Sequence, residues 1–253
     1  FSGVLSLLLA AYALTLPACP VSHAAERKSV VEALGLRAFT LFRQKRMALF
    51  FIFSMCLGIC LQITNGFASP FIFSFGGIPE YADTFGVQHA NILISISQIS
   101  ETFCILLIPF FLGRFGIKRV MLIAMLAWVF RFGFFALGQS RVGRVVGLSC
   151  PCWFTGWLST FSMFSGSLFV DKETDLSIRS SAQGLFIIMT NGIGATVGTL
   201  SAQAVVNCFV DFNSQAPQVE GWSRAWFVFA AYALVVAVTF ALVFKYKHKV
   251  DNE

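Results

Sequence analysis

The sequence predicts an all-α membrane protein, a six-transmembrane-helix bundle preceded by the end of another helix. Three observations carry that expectation. The 253 residues are 57% hydrophobic and 12% charged, whereas soluble domains carry about 25% charged residues. The apolar residues fall in runs of the length that crosses a bilayer, about 20 residues at 1.5 Å rise. The basic residues cluster between alternate runs. A water-soluble enzyme, a nucleic-acid binder and a disordered tail are thereby excluded.

Six full spans are predicted: Met47 to Ser69, Gln88 to Leu112, Ile117 to Leu137, Val145 to Val170, Ser180 to Cys208 and Trp222 to Phe244. The earlier run Phe1 to Leu16 stops short of a full crossing and lacks an initiating Met and a basic leader, so it reads as the tail of a helix whose start is missing. The expected organisation is the end of a sixth helix over 1–16, a cytoplasmic linker over 17–46, a six-helix domain over 47–246 and a cytoplasmic tail over 247–253.

Orientation follows from the 18 Lys and Arg. Arg27, Lys28, Arg37, Arg43, Lys45 and Arg46, then Arg114, Lys118 and Arg119, then Lys172 and Arg179, then Lys245, Lys247 and Lys249 fall on one side. Arg141, Arg144 and Arg224 fall on the other, and Arg131 lies inside a span. The positive-inside rule then places the linker and the C-terminus in the cytoplasm. The net charge of +6 is a topology signal and requires no acidic partner. Transporters of the major facilitator type join two six-span halves through a cytoplasmic linker, and this chain has the layout of the second half.

The polar residues within the spans are the informative ones. Gln62 and Asn65 stand three apart in Leu61-Gln-Ile-Thr-Asn-Gly66, hence on one helix face. Gln98 and Glu101 repeat the spacing in Ser95-Ile-Ser-Gln-Ile-Ser-Glu-Thr102. An unpaired carboxylate is costly at membrane depth, so Glu101 is expected to face a bundle interior or a wet cavity and to be protonated part of the time. Two amides and an acid on facing helices suit the hydroxyls of a polar, uncharged solute. The bland alternative for the amides is interhelical hydrogen bonding, worth about 0.6 kcal/mol. Arg131 either snorkels to the interface or pairs with an acid.

Other features are architectural. The turn Gly113-Arg-Phe-Gly-Ile-Lys-Arg119 is a compact basic loop between spans, and Gly184, Gly192, Gly194 and Gly198 set small residues along one span, the last two in G-x-x-x-G spacing. The Phe-rich faces read as packing. Cys56 and Cys60 share a face without His or carboxylate neighbours, and read as small apolar filler. No nucleophile and base pair or metal cluster is visible, so enzymatic function has no support and no cofactor is implied.

The strings Arg46-Met-Ala-Leu-Phe-Phe-Ile-Phe-Ser54, Leu61-Gln-Ile-Thr-Asn65, Gln88-His-Ala90, Ser95 to Thr102 as above, Ile108-Pro-Phe-Phe-Leu112, Ser181-Ala-Gln-Gly184, Met189-Thr-Asn-Gly192 and Phe244-Lys-Tyr-Lys-His248 resemble the bacterial nucleoside:proton symporter family over nearly the whole chain. The resemblance implies nucleoside uptake across the inner membrane driven by protons, with Gln62, Asn65, Gln98 and Glu101 matching substrate contacts and Glu101 the proton-coupling group. It also implies a missing N-terminal six-helix half, without which the chain is expected to be inactive. A carrier of another small polar solute such as a sugar, or a non-transporting membrane scaffold, are the rival readings.

One stretch departs from the family. Its tenth helix carries a pattern like Tyr-Gly-x-x-Phe-Asp-Phe-Phe-Asn, while this chain reads Cys152-Trp-Phe-Thr-Gly-Trp-Leu-Ser-Thr-Phe-Ser-Met163, with Thr155 in place of the Tyr and Ser159 in place of the first Phe. One permitted choice of codons for Pro151 to Phe164, read from the last base of the Pro codon, gives Met-Leu-Val-Tyr-Gly-Val-Ala-Phe-Asp-Phe-Phe-Asn-Val. The expectation is that residues from about 140 to 164 are translated out of frame.

Overall fold

In a computed structural model of the chain, the residues described are 2–17, 35–77, 90–137, 164–212 and 218–244. They are helical apart from short turns. The chain divides into two units, Phe1–Leu34 and Gly35–Glu253. In the first, α1 (Ser2–Ala13) is a short apolar helix, ended by turns in which the Thr15 hydroxyl donates to the Tyr12 carbonyl at 2.7 Å.

The second unit holds the bundle. Its elements are a 3-10 segment, Leu36–Arg43, then α2 (Lys45–Ser74), α3 (Ala90–Leu137), α4 (residues 164–173), α5 (Arg179–Phe209) and α6 (Val219–Val243). Among the described residues, four helical stretches are long and apolar enough to cross a membrane: Lys45–Ser74, Phe110–Leu137 (which contains the break at Gly116), Arg179–Phe209 and Val219–Val243. The span predicted from Val145 to Val170 is described only from residue 164, and the out-of-frame expectation for 140 to 164 lies almost wholly outside the described residues.

Helix α3 is two helices joined at a break. Gly116 sits at φ 72°, ψ 164°, a region open essentially to glycine alone. Ile108 and Val120, on either side of it, share one small buried cluster against which Phe111, Leu112 and Phe115 pack. Twelve residues of straight helix would hold their backbones about 18 Å apart, so the chain turns back on itself at Gly116. The reversal falls inside the turn predicted over Gly113 to Arg119.

Two aromatic clusters tie the ends of the bundle and account for much of its Phe content. Near the start of α2, Phe50 lies 4.6 Å from Phe169 of α4 and 6.0 Å from Phe186 of α5, and Phe53 lies 5.0 Å from Phe240 of α6. Near its end, Phe71 lies 5.6 Å from Phe135 of α3 and 5.4 Å from Trp226 of α6. Such pairs add roughly 0.5–1.5 kcal/mol each beyond the area they bury. They also fix direction. The start of α2 meets α4, the end of α6 and the start of α5, and its end meets the start of α6, so α5 and α6 run in opposite directions as a hairpin connection requires. The second limb of α3 and α6 are pinned at both ends of their antiparallel contact. Lys118 Nζ donates to the Ala241 carbonyl at 3.2 Å, and Ser223 Oγ to the Ala136 carbonyl at 2.7 Å.

Between the aromatic clusters the helices cross closely at glycine. A Cβ on Gly58 of α2 would lie 2.3 Å from the Thr190 carbonyl oxygen of α5, and one on Gly194 would lie 2.7 Å from that of Met55. Residues 188 to 194 of α5 form a π-helical turn, which widens the helix where α2 approaches. Gly198 also meets α2, at Ile59 and Gln62, whereas Gly184 has nothing within 4 Å and Gly192 only a side-chain methyl at 3.8 Å. Two of the four glycines singled out along this span therefore make the crossing.

Arg131 of α3 lies against two aromatic rings. It is buried, with its guanidinium 5.4 Å from the centre of the Trp128 ring and 5.9 Å from that of Phe135, so the faces of two aromatic rings help to carry the charge. Cys60 is buried and Cys56 half-buried in the same interior, where the Tyr232 hydroxyl donates to the Cys56 carbonyl at 3.2 Å.

Candidate solute-binding face

Gln62 and Asn65 lie on α2 beyond the glycine crossing, about 18 Å from the Ser74 end and 26 Å from the Lys45 end for Gln62, by helix rise. Residues on either side are apolar for several turns, so both amides sit within the span. Gln62 is half-buried and Asn65 exposed. Gly198 leaves room for Gln62: a Cβ there would stand 3.2 Å from the Gln62 Cβ. Thr64, one turn on from Cys60, is buried and turns its hydroxyl onto its own helix, 3.4 Å from the Cys60 carbonyl. The amides are thus the polar groups that this stretch of α2 presents beyond its own backbone.

Gln98 and Glu101 lie on the first limb of α3, helical there and three residues apart, hence on one face. Their side chains lie outside the described residues. The structure brings Gln62 and Asn65 onto one face of α2 and sets Gln98 and Glu101 on one face of α3.

A further polar stripe escaped the sequence reading. Thr196, Thr199, Gln203 and Asn207 are all exposed along α5, at spacings of three and four that stack them on one face. The Thr196 hydroxyl donates to the Gly192 carbonyl at 3.0 Å and that of Thr199 to the Ala195 carbonyl at 2.9 Å. Gln203 Nε2 donates to Asn207 Oδ1 at 2.7 Å. Ile193, Val197 and Leu200 are exposed along the border of this stripe, Leu200 standing four residues after Thr196 and three before Gln203. An exposed stripe of hydroxyls and amides within a spanning helix suits contact with water or protein. The signal was in the sequence as a three-four spacing of hydroxyls and amides, masked by the glycines interleaved with it.

At the end of the bundle where α2 starts, polar groups hold α4 to α5. Gln183 Nε2 donates to the Ser167 carbonyl at 2.7 Å and to Asp171 Oδ1 at 2.8 Å, and Ser167 Oγ donates to Gln183 Oε1 at 2.9 Å. Arg46 at the start of α2 forms an ion pair with Glu173.

Apolar spanning helices in alternating order, with amides set into one of them and a polar face on another, define an integral membrane protein of transporter architecture. Residues 1–249 match the family model described as nucleoside H+ symporter, and the chain belongs to that family, one of transporters and not of enzymes. It is 49% identical over 243 residues to the xanthosine permease of Escherichia coli (strain K12), covering 96% of this chain and 57% of that protein. It is 47% identical over 246 residues to nucleoside permease NupG of the same organism, covering 97% of this chain and 58% of that one. The chain thus spans less than two thirds of the length of these relatives. A crystal structure of nucleoside transporter NupG, in an aspartate-to-alanine mutant, superposes over 96% of this chain and 59% of that one with a TM-score of 0.81 at 46% identity. A second NupG structure gives a TM-score of 0.76. The fold is accordingly that of one part of the NupG major facilitator architecture.

Proposed function

We propose that this chain forms the carboxyl-terminal half of a proton-coupled nucleoside carrier of the bacterial inner membrane, with its linker and C-terminus in the cytoplasm. Family membership supports the class of solute. The observation that carries the reading is the pair of amides Gln62 and Asn65 at mid-span, one half-buried and the other exposed. An exposed amide in hydrocarbon carries a desolvation cost of several kcal/mol, which a water-filled cavity removes. A nucleoside offers what such a face takes: ribose hydroxyls that donate and accept, and base edges that pair with an amide's matched donor and acceptor.

In this reading Gln62, Asn65 and Gln98 bond the base or ribose, and Glu101 accepts from ribose hydroxyls or carries the proton. With the cavity open to the outside, Glu101 takes up a proton and loses its charge. The neutral acid enters an occluded, low-dielectric state at far lower cost than the carboxylate, so closure favours the protonated, loaded carrier. Opening inward exposes the acid to the less acidic cytoplasm, where the proton leaves with the solute. A half-site cannot alternate by itself, because alternating access requires two halves to rock about a site between them. The amino-terminal six helices are therefore the obligate partner.

The test joins this chain to the amino-terminal half of Escherichia coli NupG and measures uridine-driven proton uptake. Replacing Glu101→Gln is expected to abolish proton movement. Undiminished symport removes Glu101 from the mechanism.

A further inference from the structure

The segment Leu36–Arg43 immediately precedes the apolar run of α2 and is wound as a 3-10 helix. With three residues per turn, side chains three apart eclipse, so the segment has three distinct faces. Ala38 and Leu41 form the first, 1% and 4% exposed, packed within the bundle at the starts of α2 and α5. Leu36, Phe39 and Phe42 form the second. Leu36 is 44% and Phe39 52% exposed, and their row continues into the bundle, since the Phe39 ring stacks on Phe42 at 6.2 Å and Phe42 lies 5.5 Å from Phe51 of α2. Arg37, Thr40 and Arg43 form the third, with Lys45 just beyond, and all four are exposed.

The placement is as telling as the faces. Gly35, at φ 69°, lets the chain turn in against Ser181 near the start of α5; a Cβ there would stand 3.1 Å from the Ser181 hydroxyl. The segment is thereby held across the ends of two spans, at the level where Lys45 and Arg46 give way to the unbroken apolar run from Met47. A change from cations to an unbroken apolar run is the pattern of a boundary between headgroups and hydrocarbon. A short helix with one face fixed in protein, one face of exposed Leu and Phe and one cationic face matches that boundary chemically.

We propose that Leu36–Arg43 is a membrane-interface anchor, in which Leu36 and Phe39 enter the acyl edge of the leaflet while the cationic face with Arg43 and Lys45 binds anionic phospholipid headgroups. The occupant is chosen by charge. A zwitterionic surface would complement the apolar face alone, whereas this segment sets two guanidinium groups and an ammonium beside it. The inference does not depend on which solute is carried.

The test uses the full chain reconstituted in vesicles of phosphatidylglycerol and phosphatidylcholine, with Phe39→p-benzoylphenylalanine or, as a second site on the same face, Leu36→p-benzoylphenylalanine. After irradiation, mass spectrometry identifies the adducts. Lipid adducts are expected from both positions, with phosphatidylglycerol captured above its share of the vesicle, and far fewer from Thr40→p-benzoylphenylalanine on the polar face. Adding Arg43→Gln is expected to lower the phosphatidylglycerol excess by roughly fivefold, the effect of about one surface charge. Adducts to protein in place of lipid, whether to a second copy or to another segment of the chain, overturn the proposal. So does capture of the two lipids in proportion to their abundance.

Discussion

Gln183 illustrates how a single side chain holds two spans in place. Its amide uses both donor and acceptor, bonding Ser167 and Asp171 across α4 and α5. Replacing Gln183→Leu strands those partners in a half-buried setting, which costs about 1–3 kcal/mol. The expected result is a lower midpoint of thermal unfolding in detergent, read by loss of the monodisperse peak; an unchanged midpoint would show that the clamp contributes nothing. The sequence offered Gln183 only as part of a family string. Nothing local marks a glutamine in the opening turns of a helix as a clamp, because its partners lie 12 and 16 residues away on another element. Gln62 and Asn65 were legible for the opposite reason: an amide within an unbroken apolar run is anomalous in one dimension already. Arg131 was legible as an anomaly but not in its setting, since its two rings come from its own helix at spacings of three and four that hold for any helical neighbour.

At the scale of elements, the bundle is a division of labour between aromatic ends and a glycine middle. The close crossing of α2 and α5 leaves no space for a side chain at Gly58, and the obstacle is backbone, which cannot swing aside. Gly58→Val is therefore expected to destabilise the bundle by at least the 1–3 kcal/mol typical of overpacking, at about that scale. Gly184→Ala, where a Cβ meets nothing within 4 Å, is expected to be neutral or to stabilise by up to roughly 1 kcal/mol through helix propensity. Equal effects of the two substitutions in a thermal-shift assay would refute the crossing. The G-x-x-x-G spacing was readable in the sequence, but spacing names a candidate face and not the partner that approaches it. The turn at Gly116 was readable because basic residues and paired glycines interrupted an apolar run. The 3-10 segment was not readable as structure: its arginines assigned it to the polar linker, and only a three-residue period separates its apolar row from its cationic one.

At the scale of the whole molecule, the alternation of spans and the membrane class follow from composition and run length, and the described helices agree with them. What composition could not supply is how the chain compares in length with its relatives, of which it spans 57% and 58%. The substituted tenth-helix pattern over 152–163 bears on the chain itself, because the family pattern that it resembles has Tyr and Phe where Thr155 and Ser159 stand. Resequencing the gene over residues 140 to 164 is expected to give codons that yield the Tyr-Gly pattern in a neighbouring frame. Codons that yield it in no frame make the stretch a genuine divergence, and the protein then carries Thr155 and Ser159 where the family pattern has Tyr and Phe. What surrounds the amides of α2 decides whether they meet a solute or lipid. Asn65→Cys, in the chain joined to its amino-terminal half, offers the most direct measurement: reaction with a membrane-impermeant thiol reagent, corrected for the native cysteines, with and without uridine. Labelling that uridine slows and a non-nucleoside sugar does not is the predicted result. A thiol that stays unlabelled, or that reacts at the same rate whether or not uridine is present, contradicts it.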